Sequence, residues 1–179
     1  MRLLAVDVDN TIADYTKGLR AWLRAHGSTM PMPEPDDYDF SRASGWSLPD
    51  GFTAAHRGMV ADSGYLLLDP MPYAVAAVRR LRSDGWSLVA VTGREREPMV
   101  TEQTRQWCAL AGIDRVVFAQ DKTAACHGLR ATAMVEDNPA DLIRLYEGGV
   151  RVLKLNHGYN RGAPGEPCAD WHAVCGRLS

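Results

Sequence analysis

The sequence predicts an α/β fold: a parallel β-sheet flanked by helices, with a small helical cap inserted after the first strand. Three observations carry this. The opening Leu3-Leu4-Ala5-Val6 is apolar without alternation, as a strand covered on both faces requires. From Asp69-Pro70 onward, short apolar runs alternate with helical stretches of about 10 to 14 residues, the pattern of βαβ units. Between these two regions lie roughly 60 residues that do not alternate, which sets them apart as an insertion.

The elements follow in order. Strand one ends at Asp7-Val8-Asp9. Residues 14–26 carry Tyr15, Leu19, Trp22 and Leu23 at helical spacing and stop at Gly27, a residue suited to the position after a helix. Met30-Pro31-Met32-Pro33-Glu34-Pro35 cannot continue a helix or enter a central strand, because each proline lacks an N–H and restricts its predecessor. Asp50 is placed to cap a helix over 51–63, whose Phe52, Ala55, Met59 and Val60 form one apolar stripe. Next come a helix over 72–82, a strand over 86–91, a helix over 98–110, strands over 116–119 and 131–135, a helix over 139–146 and a strand over 150–155. The tail after Asn156, punctuated by Gly158, Gly162, Pro164, Gly165 and Pro167, reads as loop before a short helix around Trp171. The expected division is a core of residues 1–14 and 70–179 and a cap of residues 15–69.

Composition narrows the function classes. The 179 residues hold 20 Lys plus Arg against 22 Asp plus Glu, a net charge of −2, with 46% hydrophobic and 23% charged residues. A chain of this size buries roughly 70% of its unfolded surface, so a core needs neither disulfide nor structural metal. The basic excess that nucleic-acid polymers demand is missing. Cys108, Cys126, Cys168 and Cys175 are irregularly spaced without C-x-x-C, as reduced thiols of a cytoplasmic protein would be. Asp7 and Asp9 interrupt any signal-peptide-like start, and no run approaches the ~20 apolar residues of a membrane span.

The acids fall at strand ends. Residues i and i+2 of a strand share a side, so Asp7 and Asp9 emerge together. Alone, the pair reads equally well as solvated loop acids. However, the strand over 131–135 also ends in acids, Glu136-Asp137, with Asp141 four residues on. Open α/β sheets bind ligands at the carboxyl ends of strands near a switch in strand order, where such acids can converge. Carboxylates without histidine or cysteine companions suit Mg²⁺, and the five histidines lack zinc spacing. Two more strand ends supply an anion site: Thr92-Gly93-Arg94 offers a hydroxyl and backbone N–H groups, and Lys122 an ammonium.

These residues resemble the haloacid dehalogenase superfamily of aspartate-nucleophile phosphotransferases. Asp7-Val8-Asp9-Asn10-Thr11 is similar to its D-x-D-x-T motif, Thr92 to the second-motif hydroxyl, Lys122 to the third-motif lysine, and Glu136-Asp137 with Asp141 to the acidic fourth motif. Asn10 departs from the usual glycine but tolerates the same left-handed backbone. The resemblance implies a Rossmann-like core and definite roles. Asp7 attacks phosphorus; Asp9 protonates the leaving oxygen and later activates water; Thr92 and Lys122 hold the phosphoryl group. Asp7, the Asp9 carbonyl and Glu136 or Asp137 would hold Mg²⁺, with Asp141 as a further candidate. The second aspartate favours a phosphatase over a dehalogenase, since an alkoxide needs a proton to depart and a halide does not.

Within the superfamily, the cap length, the passage Tyr65-Leu66-Leu67-Leu68-Asp69-Pro70-Met71-Pro72 and the context Ala119-Gln120-Asp121-Lys122-Thr123 are similar to the 5′(3′)-deoxyribonucleotidase group. The implied substrate is a nucleoside monophosphate, with Phe40, Trp46, Phe52 and Tyr65 as a stacking face and Arg42, His56 or Arg57 as polar contacts. Thr92-Gly93-Arg94 also resembles polynucleotide-kinase phosphatase domains, but no G-x-x-x-x-G-K-[ST] loop is present. Another small phosphorylated metabolite, such as a sugar phosphate, is the alternative substrate. A non-catalytic phospho-acceptor of the receiver type is the rival class, although its acceptor follows the third strand whereas D-x-D here ends the first. A homodimer is compatible with so small a cap.

Overall fold

The computed structural model describes residues 2–27 and 51–179. The chain runs through β1 (Arg2–Val6), α1 (Tyr15–Ala25), α2 (Gly51–Ala61), a 3-10 turn (Gly64–Leu67), α3 (Ala74–Ser83), β2 (Trp86–Thr92), α4 (Pro98–Leu110) and β3 (Val116–Phe118). It continues through α5 (Lys122–Leu129), β4 (Ala133–Glu136), α6 (Pro139–Glu147), β5 (Val152–Leu155), a second 3-10 turn (Gly158–Asn160), β6 (Glu166–Cys168) and α7 (Trp171–Leu178). The six strands form one parallel sheet in the order β3-β2-β1-β4-β5-β6. The chain first winds from β1 outward to β3, then returns to place β4 on the other side of β1. That reversal sets the carboxyl ends of β1 and β4 side by side, the place where open α/β sheets take ligands.

The unbroken apolar character of β1 follows from its position. Leu4 and Val6 face one core layer with Leu19, Val78, Trp107 and Trp171, while Leu3 and Ala5 face another with Met134, Leu142, Leu145 and Val152. Both faces are covered, so alternation has no role. Trp171 anchors α7 to the first loop: it is fully buried, and its Nε1–H donates to the Thr11 carbonyl at 2.9 Å.

The chain leaves the sheet layer and re-enters it at adjacent points. The Asp14 N–H donates to the Asp69 carbonyl at 2.8 Å, and the Met71 N–H to the Ile12 carbonyl at 2.8 Å. Between them, α2 packs on α1 because Gly58 leaves room for the Trp22 ring, which a Cβ would meet at 2.5 Å. Two side chains of α4 fasten this segment: Gln103 donates to the Val60 carbonyl at 2.9 Å and Trp107 to the Leu68 carbonyl at 2.8 Å.

Two elements differ from the sequence expectation. Residues 122–129 form α5, which periodicity missed because the helix is short, rich in small residues and buries only Lys122 and Cys126. Its start is fixed locally: the Asp121 side chain accepts from the Ala124 N–H at 2.9 Å. The tail contains β6, a three-residue strand on the sheet edge, where Pro167 is tolerated because no further strand needs its missing N–H. Strand ends shift slightly, so that Thr92 and Glu136 are the last residues of β2 and β4. The proposed Asp50 cap and the prolines at 31, 33 and 35 lie outside the described residues. Among the described residues, no helix is long and apolar enough to cross a membrane, and all four cysteines are free and buried.

Replacing Trp171 by alanine removes both the largest fully buried side chain and the bond to Thr11. The expected loss is about 3–5 kcal/mol of unfolding free energy, measured as a lowered urea midpoint at unchanged slope.

Candidate functional site

Lys122 is the hub of the site. As the first residue of α5 its side chain turns under the sheet's carboxyl edge, where Nζ donates to Asp7 Oδ1 at 2.6 Å and Glu136 Oε2 at 2.8 Å and pairs with Asp141 Oδ2 at 3.1 Å. All four side chains are buried. Each comes from the end of a different element: Asp7 just after β1, Lys122 at the start of α5, Glu136 at the end of β4, Asp141 in the first turn of α6. Asn138 caps α6, accepting from the Ala140 and Asp141 N–H groups, and thereby aims Asp141 inward.

Asp137 lies beside this hub. Its Oδ1 accepts from the Thr11 hydroxyl at 2.6 Å, its Oδ2 from the Tyr159 hydroxyl at 2.5 Å, and its carbonyl from Asn160 Nδ2 at 2.8 Å. Glu136 Oε1 accepts the N–H groups of Asp137 and Asn138 at 3.0 and 2.9 Å. The loop after Asp7 turns at Asn10, whose φ of 56° confirms the left-handed conformation. Its Oδ1 accepts from both the Thr16 N–H and hydroxyl at 3.0 Å, which offsets the strain of a non-glycine there. The His157 ring nitrogen Nε2 sits 2.8 Å from the Asn10 carbonyl.

Asp9 and Arg94 form a second pair. Arg94 Nε and NH2 donate to the two Asp9 oxygens at 2.9 and 2.5 Å, and NH1 donates to the Thr104 hydroxyl at 2.9 Å. Tyr65 lies over the guanidinium, 3.5 Å from carbon to ring centroid. Thr92 is buried, and its Oγ1 accepts from the Arg94 N–H at 3.3 Å. A Cβ on Gly93 would meet nothing nearer than Gln120 Oε1 at 3.8 Å, so this stretch of wall is bare backbone.

Asp7, Asp9, Thr92, Gly93, Arg94, Lys122 and Asp141 all line one open cavity of about 950 Å³. Glu136 and Asp137 lie behind it. Phe52, His56, Arg57 and Tyr65 line the same cavity, with His56 bonded through Nδ1 to the Tyr15 hydroxyl at 2.8 Å. Burial holds the His56 ring below its usual pKa, and raises that of the Tyr65 phenol. Phe40, Arg42 and Trp46 lie outside the described residues. The sequence reading missed Thr104, His157, Tyr159 and Asn160. The last three follow β5, the neighbour of β4, so the rule that ligands gather at strand carboxyl ends was the signal that could have found them.

The electrostatics are unbalanced. Asp7, Glu136, Asp137 and Asp141 bring four potential negative charges, against one each from Lys122 and Arg144, the latter paired with Asp141. Lys122 is held charged well above its usual range, burial being outweighed by its three acids. One ammonium cannot satisfy them all, so the carboxyls move the other way: burial, and then Glu136, push Asp7 up to about 8. Burial likewise pushes Glu136 and Asp137 up to about 7. The deficit of two charges matches one divalent cation. Ligand oxygens of Asp7, Glu136 and Asp137 lie within 4.8 Å of one another, and an all-carboxylate set is the donor chemistry of Mg²⁺. The residues present therefore fit that ion.

By sequence, no protein-family model and no curated protein matches the chain. Solved structures do. A haloacid dehalogenase-like family hydrolase from Streptococcus pneumoniae superposes with a TM-score of 0.70 at 12% identity, covering 100% of this chain and 99% of its own. The fold is that of the haloacid dehalogenase-like hydrolases. A predicted phosphoglycolate phosphatase from Haemophilus somnus gives 0.64 at 18% identity, covering 100% of this chain and 98% of its own. The D,D-heptose 1,7-bisphosphate phosphatase of B. bronchiseptica, complexed with magnesium and phosphate, gives 0.56 at 15%, covering 99% of this chain and 98% of its own. Identities this low carry the haloacid dehalogenase-like fold and nothing finer.

The raised carboxyls set a pH dependence. Native Asp7, Glu136 and Asp137 hold protons that the unfolded chain, with carboxyls near 4, has already lost. Their contribution to stability is therefore complete below pH ~4 and disappears as pH rises through about 7 and about 8. Without divalent cation the urea midpoint is expected to fall between pH 5 and 8, to about that upper limit, and millimolar Mg²⁺ to flatten the fall. In the same assay Lys122→Met, which removes the cationic partner of Asp7 and Glu136 and leaves Asp141 only Arg144, costs about 3–5 kcal/mol at neutral pH.

Proposed function

We propose that this protein is an Mg²⁺-dependent phosphomonoester hydrolase working through an aspartyl-phosphate, with a nucleoside monophosphate as substrate. The observation that carries the reading is Asp7, a buried carboxylate opening onto the cavity with Lys122 at 2.6 Å on one of its oxygens. Asp7 attacks phosphorus while Asp9 protonates the departing oxygen; Asp9 then takes a proton from the water that hydrolyses the acyl phosphate. Covalent catalysis replaces one difficult displacement by two easier ones. The Thr92 hydroxyl, the Gly93 backbone and Lys122 receive the phosphoryl oxygens. Asp7, Asp137, the Asp9 carbonyl and Glu136 or Asp141 would hold Mg²⁺, which supplies the positive charge that an anionic nucleophile needs against a phosphate dianion.

The described part of residues 15–69, from α1 to the 3-10 turn, is on this reading the cap of the centre. Phe52 and His56, ring centroids 5.7 Å apart, line the cavity where a base would lie, whereas Tyr65, expected to stack on it, is buried with its ring over Arg94. Arg57 sits on the same wall for a polar edge. A cavity of about 950 Å³ has room for a nucleotide, ligand sites commonly spanning about 300–1,000 Å³. Buried reduced thiols are in keeping with a cytoplasmic enzyme. A sugar phosphate is the second reading, supported by the heptose bisphosphate phosphatase among the similar folds.

The test is phosphate release across nucleoside monophosphates and sugar phosphates with Mg²⁺ present. Nucleotides are expected to lead, EDTA to stop turnover, and Asp7→Asn to bring it to background with the melting temperature retained. A ranking led by sugars transfers the site to the second reading. Lasting phosphorylation by acetyl phosphate with no turnover would instead identify a non-catalytic acceptor.

A further inference from the structure

The loop after β5 does not line the cavity, yet its side chains converge on one acid behind it. Asp137 accepts from the Thr11 hydroxyl on Oδ1 and from the Tyr159 hydroxyl on Oδ2, at 2.6 and 2.5 Å. Asn160 is buried, and its Nδ2 donates to the Asp137 and Leu155 carbonyls, each at 2.8 Å, while its Oδ1 accepts from the His157 N–H at 3.0 Å. One amide thus brackets the ends of β4 and β5. The Tyr159 ring stacks on that of His157, centroids 5.0 Å apart and planes 2° from parallel. Lys154 of β5 ties this loop to the sheet: its buried Nζ donates to the Ala163 carbonyl at 2.8 Å, with the Asn160 and Arg161 carbonyls at 3.4 and 3.5 Å. Gly165, at a φ of 122°, lets the chain pass close over β5, where a Cβ would meet the Val152 carbonyl at 3.3 Å.

We infer that Tyr159 and Asn160 are positioning residues that hold Asp137 for the divalent cation, and that Lys154 acts through them by fixing their loop. This rests on the reading above in which Asp137 is an Mg²⁺ ligand, and deepens it. A carboxylate with one donor on each oxygen has its plane fixed, and each oxygen keeps a lone pair for a cation. Thr11 alone would leave the group free to pivot about Oδ1; the Tyr159 hydroxyl stops that rotation, and Asn160 fixes the backbone from which the side chain springs. Ligand oxygens of Asp7, Glu136 and Asp137 lie within 4.8 Å of one another, so the plane of Asp137 decides how well the three meet on one ion. Mg²⁺ demands near-ideal octahedral geometry and tolerates a misplaced oxygen poorly. Groups that orient a ligand in this way typically carry roughly 10- to 100-fold of a site's metal affinity.

The experiment titrates MgCl2 into the full chain, stripped of divalent ions and free of substrate, by isothermal calorimetry, and follows urea unfolding of the same samples. Tyr159→Phe removes one hydroxyl and keeps the ring on His157; it is expected to weaken Mg²⁺ binding about 10-fold. Lys154→Met, which keeps the length of the side chain without its ammonium, is expected to give a similar loss. Adding Tyr159→Phe to Lys154→Met then costs less than about a further threefold, because the two act along one route. Asn160→Ala is expected to weaken binding up to about 100-fold; since this buried change can also unfold the chain, the conservative Tyr159→Phe decides. Mg²⁺ affinity of Tyr159→Phe and Lys154→Met within about twofold of wild type, well short of the loss an orienting partner causes, overturns the inference and makes the loop a structural brace, whatever the shift in urea midpoint. Losses that multiply in full in the double variant detach Lys154 from the route and overturn its part. A wild-type chain that gives no binding heat with Mg²⁺ overturns the metal reading itself, and this inference with it.

Discussion

Burying carboxylates beside one another is the costly act on which this molecule is built. Each ion taken from water loses several kcal/mol of hydration, and a like charge alongside adds repulsion. The protein supplies Lys122 at the centre of Asp7, Glu136 and Asp141, and Arg144 at the rim. It stops there, two charges short. A fold selected for stability alone would place apolar residues at these positions. A deficit of this size is what one divalent cation among these carboxylates would balance. Burial first, and the neighbouring acids second, raise Asp7 and Glu136, while those same acids raise Lys122 against its burial, so partners shift in the same direction.

Strand order is what makes the cluster possible. Because β4 returns to lie against β1, with Val6 opposite Val135, the next residues of both strands rise from the same edge of the sheet. The Asp7 N–H still bonds the Val135 carbonyl at 3.0 Å, so the nucleophile candidate is held by the sheet ladder although it stands just past the strand. β5 extends the principle. Its continuation brings Tyr159 and Asn160 onto Asp137, and Lys154, paired with Glu136 in register, turns its ammonium to the Ala163 carbonyl at 2.8 Å and so ties down the loop that carries them.

What the sequence disclosed and what it withheld divide along physical lines. The parallel sheet was legible because β1, β2 and β4 are apolar on both faces, a local property. The acids at residues 7, 136 and 137 were legible because they terminate those apolar runs. Helix α5 was not, since its short stretch of small residues buries too little to impose a period, and β6 was not, since it is three residues long, contains Pro167 and follows a Gly- and Pro-rich loop. Asp137's bond to Tyr159 spans 22 residues and Asp9's to Arg94 spans 85. Nothing in the spacing of residues announces such contacts; only the assembled sheet does. The position of Arg94 shows the limit most clearly, because its place after Thr92 and Gly93 was readable and the direction of its side chain was not.

That direction also bears on how the segment around Tyr65 is joined to the Asp9–Arg94 pair. Tyr65 belongs to the segment between α2 and α3, yet its ring rests on the guanidinium that grips Asp9. Its hydroxyl lies 3.4 Å from His56 Nε2, and the other ring nitrogen of His56 meets Tyr15 at the start of α1. A molecule lying against Phe52 and His56 would therefore touch the same wall that covers Arg94. Gln103 and Trp107 bind the two ends of that wall to α4, the helix that also carries Thr104. The aromatic wall and the Asp9–Arg94 pair thus share one helix and one aromatic ring, so substitutions around Tyr65 reach that pair without touching Asp7.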